Sequence, residues 1–294
     1  MKTLFLKVIV IFLSLILFNS CKKDDGASPE IVGPGNQGLL IIDHNNIDLN
    51  KIPSNWIDSA KTKLHIAYQH TSHGSQLITG MSGLEEWKGT PYLWNDGPSD
   101  NQLDIDDYAM SGDLGAPDRT TWATLTRDYL AENEDVNVII WSWCGEVSTA
   151  TEEDINTYLN LMQGLENDFP NISFVYMTGH LDGNGIDGNL HIRNEQIRKF
   201  CNDNKKILYD FADIESYDPD GNYFLNKSAN DECNYDSNGD GSRDKNWAVD
   251  WQNAHQLDED WYQCSASHTQ PINANMKAYA AWWLWARLAG WSGK

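Results

Sequence analysis

The stretch Val136-Asn137-Val138-Ile139-Ile140-Trp141-Ser142-Trp143 has the look of a fully buried strand: β-branched and aromatic residues in an unbroken run. Eight residues later, Thr151 with Asp154 forms the pattern of a capping box. Ile155, Tyr158, Leu159, Met162 and Leu165 then fall at helical spacing. A second apolar run, Ile172 to Met177, closes the unit. Strand, helix and strand in that order, with a crossover this long, predict a right-handed βαβ unit with parallel strands.

The same alternation extends in both directions. Leu64-His65-Ile66-Ala67-Tyr68 reads as an earlier strand and Lys206 to Phe211 as a later one. Asp118 is placed to cap a helix carrying Trp122, Leu125 and Tyr129 on one stripe. Further helices are expected from Asn189 to Cys201 and from Ala274 to Leu288. A sheet built this way needs helices on both faces, so the expected fold is α/β, a three-layer α/β/α sandwich with a mostly parallel sheet of the flavodoxin-like kind. The segment 217–262 breaks the rhythm. It is rich in Asp and Asn and reads as a long polar insertion before the last helix.

The chain has 294 residues, with 21 Lys+Arg against 43 Asp+Glu, and a net charge of -22 argues against nucleic acid as a partner. With 40% hydrophobic and 11% aromatic residues it has the material for a packed core. Residues 1–20 carry Lys2 and Lys7 before a short apolar run, Val8 to Phe18, too short to span a bilayer and suited to a signal peptide. The run ends in Leu17-Phe18-Asn19-Ser20-Cys21, which resembles a lipobox. Lipid on Cys21 would anchor an exported protein in the bacterial cell envelope, at the outer membrane or cell surface. Residues 21–37 then read as a flexible tether, leaving 38–294 as one domain. Export permits disulfides, and Cys233 with Cys264 is the favoured pair; Cys201 is expected as a buried thiol.

Ligands of open α/β sheets bind beyond the carboxyl ends of the strands. Polar residues gather there: Gln69-His70-Thr71-Ser72-His73-Gly74-Ser75, then Cys144-Gly145-Glu146, Gly179-His180-Leu181-Asp182, and Asp210 with Asp213. Ser72 lies just past a strand and His268 just before the last helix, a spacing that suits a nucleophile and its base. His70, His73 and His180 compete for the role of base.

This arrangement resembles the SGNH (GDSL-type) hydrolases, and within them the divergent members with a His-x-Ser block, here His70-Thr71-Ser72. The resemblance implies Ser72 as nucleophile, with Ser75 as an alternative, and His268 as base. Ser111-Gly112-Asp113-Leu114-Gly115 stands for the second block, so Gly112 would supply an oxyanion donor, with Gly115 close behind. Trp143-Cys144-Gly145-Glu146 takes the place of the third block, where Gly145 is the remaining donor because the family's asparagine is missing. The last block reads Ser265-Ala266-Ser267-His268, without the family's aspartate. Ser265, Glu146, Asp182 and Asp213 are the candidates to orient the imidazole. The implied activity is a serine esterase that removes ester groups, O-acetyl above all, from a carbohydrate, with no cofactor for catalysis.

Three further features compete with that reading. Asp236, Asn238, Asp240 and Asp244, with Gly241 at the sixth position, match the first part of a calcium loop, and Asp250 supplies a late carboxylate. His70 and His73, completed by His180 or Asp182, suggest a zinc-dependent hydrolase. Trp87, Trp94, Trp247, Trp251 and Trp261 stand in loop-like sequence where an aromatic face could stack on sugar, which suggests a non-catalytic glycan-binding lipoprotein. Trp282, Trp283 and Trp285 are expected in the core.

Overall fold

A computed structural model describes residues 38–294; the expected signal peptide (1–20), Cys21 and the expected tether (21–37) lie outside the described residues. The main sheet contains β1 (Leu40–Ile42), β2 (His65–Gln69), β3 (Trp94–Asn95), β4 (Leu103–Asp107), β5 (Val138–Trp141), β6 (Ser173–Met177) and β7 (Ile207–Tyr209). Its order is β1-β7-β6-β5-β2-β4-β3, and every neighbouring pair is parallel. The expected α/β/α sandwich is therefore present. Every residue of β5, β6 and β7 is buried, as strands covered on both faces must be.

The helices are α1 (Ser54–Lys63), α2 (Ser75–Lys88), α3 (Thr121–Glu132), α4 (Glu146–Thr149), α5 (Glu152–Asp168), α6 (Asn189–Asp203), α7 (Phe211–Glu215), α8 (Trp247–Ala254) and α9 (Pro271–Leu288). Helix α5 begins with the expected capping box, Thr151 accepting from the Asp154 N–H and Asp154 from that of Thr151. At α3 the Asp118 carboxylate takes the N–H groups of Thr120 and Thr121. Helix α9 starts three residues earlier than expected, at Pro271, whose missing N–H costs nothing in a first turn. Apolar almost all round, it is buried against α1 and α2 with Trp282, Trp283 and Trp285 in the core. Gly80 makes the close crossing of α2 and α9 possible, since a Cβ there would stand 2.2 Å from the Ala274 carbonyl oxygen.

Segment 217–262 is more structured than its composition suggested. A short antiparallel pair, β8 (Asn234–Tyr235) and β9 (Lys245–Asn246), encloses the acidic loop, and α8 follows directly. Trp247, Trp251 and Trp261 are buried there, which corrects their reading as exposed sugar platforms. Trp87 sits half-buried in α2, donating its N–H to the Asp258 carbonyl, and Trp94 sits half-buried in β3. Cys233 and Cys264 are free thiols, correcting the expected disulfide. Cys233 Sγ lies 3.5 Å from Thr269 Oγ1, while Cys264 Sγ accepts from Asn275 at 3.6 Å.

From β2 the chain runs outward to β3 at the sheet edge, comes back to β4 beside β2 and then crosses to β5 on the other side of β2, so β2 and β5 flank the point where strand order reverses. A crevice is expected beyond their carboxyl ends. Among the described residues no helix is long and apolar enough to cross a membrane.

Candidate functional site

Beyond Gln69 the chain turns tightly before α2. The Tyr68 hydroxyl donates to the Gly74 carbonyl at 2.8 Å, and the Gln69 side chain clamps the loop after β4 by donating to the Gly112 carbonyl and accepting from the Met110 N–H. Gly74 is packed so closely on the end of β5 that a Cβ would meet Ser142 Cβ at 2.6 Å. That approach sets the residue before Gly74 against the residues after Trp141. His73 and Cys144 meet there.

His73 occupies the centre of the site, and both its ring nitrogens are engaged. Nδ1 lies 3.3 Å from Cys144 Sγ and Nε2 lies 2.9 Å from Asp231 Oδ2. The His180 ring stacks on it with 3.6 Å between centroids and 2° between planes. His268 stacks at 4.5 Å. Burial works against the charged form of His73, but its bonds to Asp231 and Cys144 outweigh burial and raise its proton affinity. Burial likewise opposes the charged forms of Asp231 and Cys144. The His73 contact outweighs it for Asp231, while the Thr71, His73 and Ser72 contacts do so for Cys144, and both groups are held below their usual ranges. His180 goes the other way, its pKa lowered chiefly by burial, so it stands neutral. Its Nδ1 faces the Leu181 carbonyl at 3.0 Å, which fixes the tautomer and leaves Nε2 with a free lone pair.

Among the described residues two groups of side chains could hold a metal ion: His73, His180 and Asp231, and Asp43, His44 and Asp213. In each, three ligand atoms lie within 4.8 Å of one another. The second group stands beyond β1 and at α7, with His44 Nδ1 2.5 Å from Asp213 Oδ2 and the His44 ring stacked on Tyr217. The expected histidine cluster is thus corrected in two members. His70 turns away to β4, its Nε2 2.7 Å from Asp107 Oδ1, and Asp231 takes the place expected of Asp182. Asp182 bridges to Asn230 instead, which brings the next residue, Asp231, alongside His180.

The residues expected to form a serine centre are only partly assembled. Ser72 Oγ lies 3.7 Å from Cys144 Sγ, and its hydroxyl shares no hydrogen bond with His268. His268 is exposed, with a φ of 59°, and stacks on His73 without bonding to it. None of its four expected orienters reaches it. Glu146 accepts the Cys144 N–H, Asp182 accepts the Asn184 N–H, Asp213 pairs with His44, and Ser265 is exposed. Gly112 contributes its carbonyl to Gln69, while Gly145 precedes α4 with open space around its Cα. In the acidic loop, Asp236 accepts from Gly239 and Gly241, Asp240 from Ser242, and Asp244 from Ser237; Asp250 lies in α8. The loop is not among the metal-competent groups of the described residues, its carboxylates being engaged by its own amides and hydroxyls.

Cys144 and Asp231 were not foreseen as site residues. Asp231 sits in the insertion, 158 residues from His73, where no local pattern marks it. Cys144 had one signal, its place directly beyond a buried strand. No family model, no curated protein and no solved structure matches this chain.

Proposed function

We propose that this chain is a metal-dependent hydrolase whose centre is His73, His180 and Asp231, taking a divalent ion of the zinc class. The observation that carries the reading is the convergence of two imidazoles and one carboxylate within 4.8 Å at the sheet's carboxyl edge. Two nitrogens and one oxygen suit zinc, and three protein ligands leave a position open for chemistry. A bound ion would polarise an ester carbonyl and ease deprotonation of water. The residues around it have definable duties. The Leu181 carbonyl fixes the His180 tautomer, and Cys144 does the same for His73 by occupying Nδ1. Ser72 and the exposed His268 line the approach, where they can hydrogen-bond an incoming ester. The lipobox-like segment ending at Cys21 supports export and lipid anchoring of the same protein.

The test uses protein stripped with a chelator and an aryl acetate as substrate. Zinc should bind with one site at this cluster and restore hydrolysis. Stripped protein that hydrolyses at the full rate, or that takes up no zinc, would refute the reading.

A second reading has its own observation, the 3.3 Å contact between Cys144 Sγ and His73 Nδ1. With Asp231 on the other nitrogen, this is the geometry of a thiol nucleophile, its base and an orienting carboxylate. The thiol proton would pass to His73, sulfur would attack the ester carbonyl, and the alcohol would leave with that proton; water would then hydrolyse the thioester. In that case iodoacetamide abolishes activity and a chelator leaves it intact. The serine esterase expectation draws less support, because Ser72 and His268 lack the hydrogen bond that would activate the nucleophile.

A further inference from the structure

Helix α9 is apolar almost all round, yet Lys277 in its middle is completely buried. Its ammonium rests over the Phe211 ring at 4.0 Å, pairs with Glu215 Oε1 at 2.5 Å and donates to the Gln76 side-chain carbonyl. Each carboxamide or carboxylate then continues the chain of contacts. Glu215 Oε2 accepts the Leu181 N–H at 2.8 Å. The Leu181 carbonyl in turn faces His180 Nδ1 at 3.0 Å and accepts the Asp231 N–H at 3.1 Å. On the other branch Gln76 Nε2 donates to the Ser267 carbonyl at 2.7 Å, the residue before His268. Gln76 itself stands one turn after His73 at the start of α2.

We propose that Lys277, through Glu215 and Gln76, is the positioning residue of the histidine centre. This rests on the reading that the His73 cluster is the functional site, in its metal or its thiol form. One buried ammonium addresses three of the partners that reach His73 from other parts of the chain, His180 and Asp231 on one branch and His268 on the other, while Cys144 is held separately beyond β5. The energetics favour a positioning role over a stabilising one. A buried ion pair loses so much hydration that apolar residues of similar size commonly stabilise a fold as well or better. What apolar residues cannot do is hold the Leu181 peptide by its N–H while its carbonyl serves two site residues.

The test compares the full chain with the double variant Lys277→Met/Glu215→Gln, which removes both charges together. Three quantities are read: zinc affinity by calorimetry with zinc alone, the rate of Cys144 alkylation by iodoacetamide, and the melting temperature. Ile197→Val, a core truncation in α6 that removes none of the contacts named above, serves as the control for lost stability. The double variant should lose roughly tenfold or more in zinc affinity, the scale typical of outer partners of a metal site. The Ile197→Val protein should keep wild-type affinity. If the double variant does not fold, the isosteric Glu215→Gln alone is read in the same way. A folded variant with wild-type zinc affinity and wild-type alkylation rate overturns the proposal. Wild-type protein that takes no zinc sinks the metal reading instead, and the alkylation rate alone then decides whether Lys277 positions the centre.

Discussion

The imidazoles of His73 and His180 lie face to face, 3.6 Å apart and 2° from parallel. Two rings so placed cannot both be cationic without direct repulsion, and the surroundings divide the roles. Burial keeps His180 neutral, whereas Asp231 and Cys144 favour a positive charge on His73. The pair is therefore arranged around one positive charge, which a proton or a metal ion can supply. His180→Phe separates stacking from ligation, because it keeps a flat ring and removes the nitrogen. Zinc affinity, measured by calorimetry, should fall by about a hundredfold or more, at least matching the loss seen when an outer partner is removed. An unchanged affinity would exclude His180 as a ligand.

The thiol of Cys144 should react with iodoacetamide at lower pH than an ordinary cysteine. Hydrogen bonds at the sulfur hold its pKa below the usual value of about 8.5, outweighing the effect of burial. The thiolate is the reactive form, so lowering the pKa extends reaction downward in pH. Removing His73 takes away one of the groups that stabilise the thiolate. The alkylation profile of His73→Ala should thus move to higher pH, with the largest rate difference from wild type below the ordinary thiol value. Cys233 and Cys264, both pushed up to about 12 by burial, will stay silent there, so the adduct can be located by mass spectrometry. Coincident profiles for the two proteins would disprove the His73–Cys144 coupling.

How far this molecule could be read from its sequence depends on whether the deciding contacts are local. The capping box of α5 and the apolar runs of β5 and β6 are written within a few residues, and all of them formed, whereas α3 buries Trp122, Ala123, Thr126 and Leu130 and leaves the expected Leu125 and Tyr129 half-buried. Strand β4 is not written locally. Leu103-Asp104-Ile105-Asp106-Asp107 looks too acidic for the interior of a sheet until its partners are known. Asp104 meets His65, Asp106 takes the Tyr129 hydroxyl, and Asp107 meets His70, each from a distant segment. The site shows the same division. Strand ends pointed to the edge where His73 and His180 meet, but the carboxylate beside them came from the insertion. The acid sought for His268 is absent from its block, and the carboxylates expected in its place are engaged elsewhere.

Trp247 illustrates how the insertion serves that carboxylate. Its side chain is buried and packs on Phe224, with ring centroids 5.8 Å apart, while its backbone N–H donates to the Cys233 carbonyl two residues beyond Asp231. Trp247→Ala should cost about 3–5 kcal/mol, the range for truncating a buried aromatic residue. Urea denaturation will measure the loss, and zinc affinity should drop with it as Asp231 becomes loosely held. The same variant will not alter binding of soluble glycans, since no face of this ring is open to sugar. A selective loss of glycan binding would restore the platform reading.

Two glycines near His73 make opposite predictions, and together they test whether the close approach of β2 and β5 builds the site. Gly74 has an ordinary φ of -64°, so any residue could adopt its backbone. Space is what forbids a side chain: a Cβ would lie 2.4 Å from His70 Cβ and 2.6 Å from Ser142 Cβ. Neither of those atoms can swing aside, because both are fixed to their backbones. Gly74→Ala must therefore push the loop off the end of β5, at a cost of about 1–3 kcal/mol. His73 moves with the loop, so the rapid alkylation of Cys144 should be lost even in conditions where the variant remains folded. Gly145 also has a permissive φ, -96°, but nothing lies within 4 Å of a Cβ there. Gly145→Ala should change stability by less than about 0.5 kcal/mol and leave the Cys144 reaction rate intact. Equal behaviour of the two variants in paired urea melts and alkylation assays would show that the approach at Gly74 does not hold His73 against Cys144.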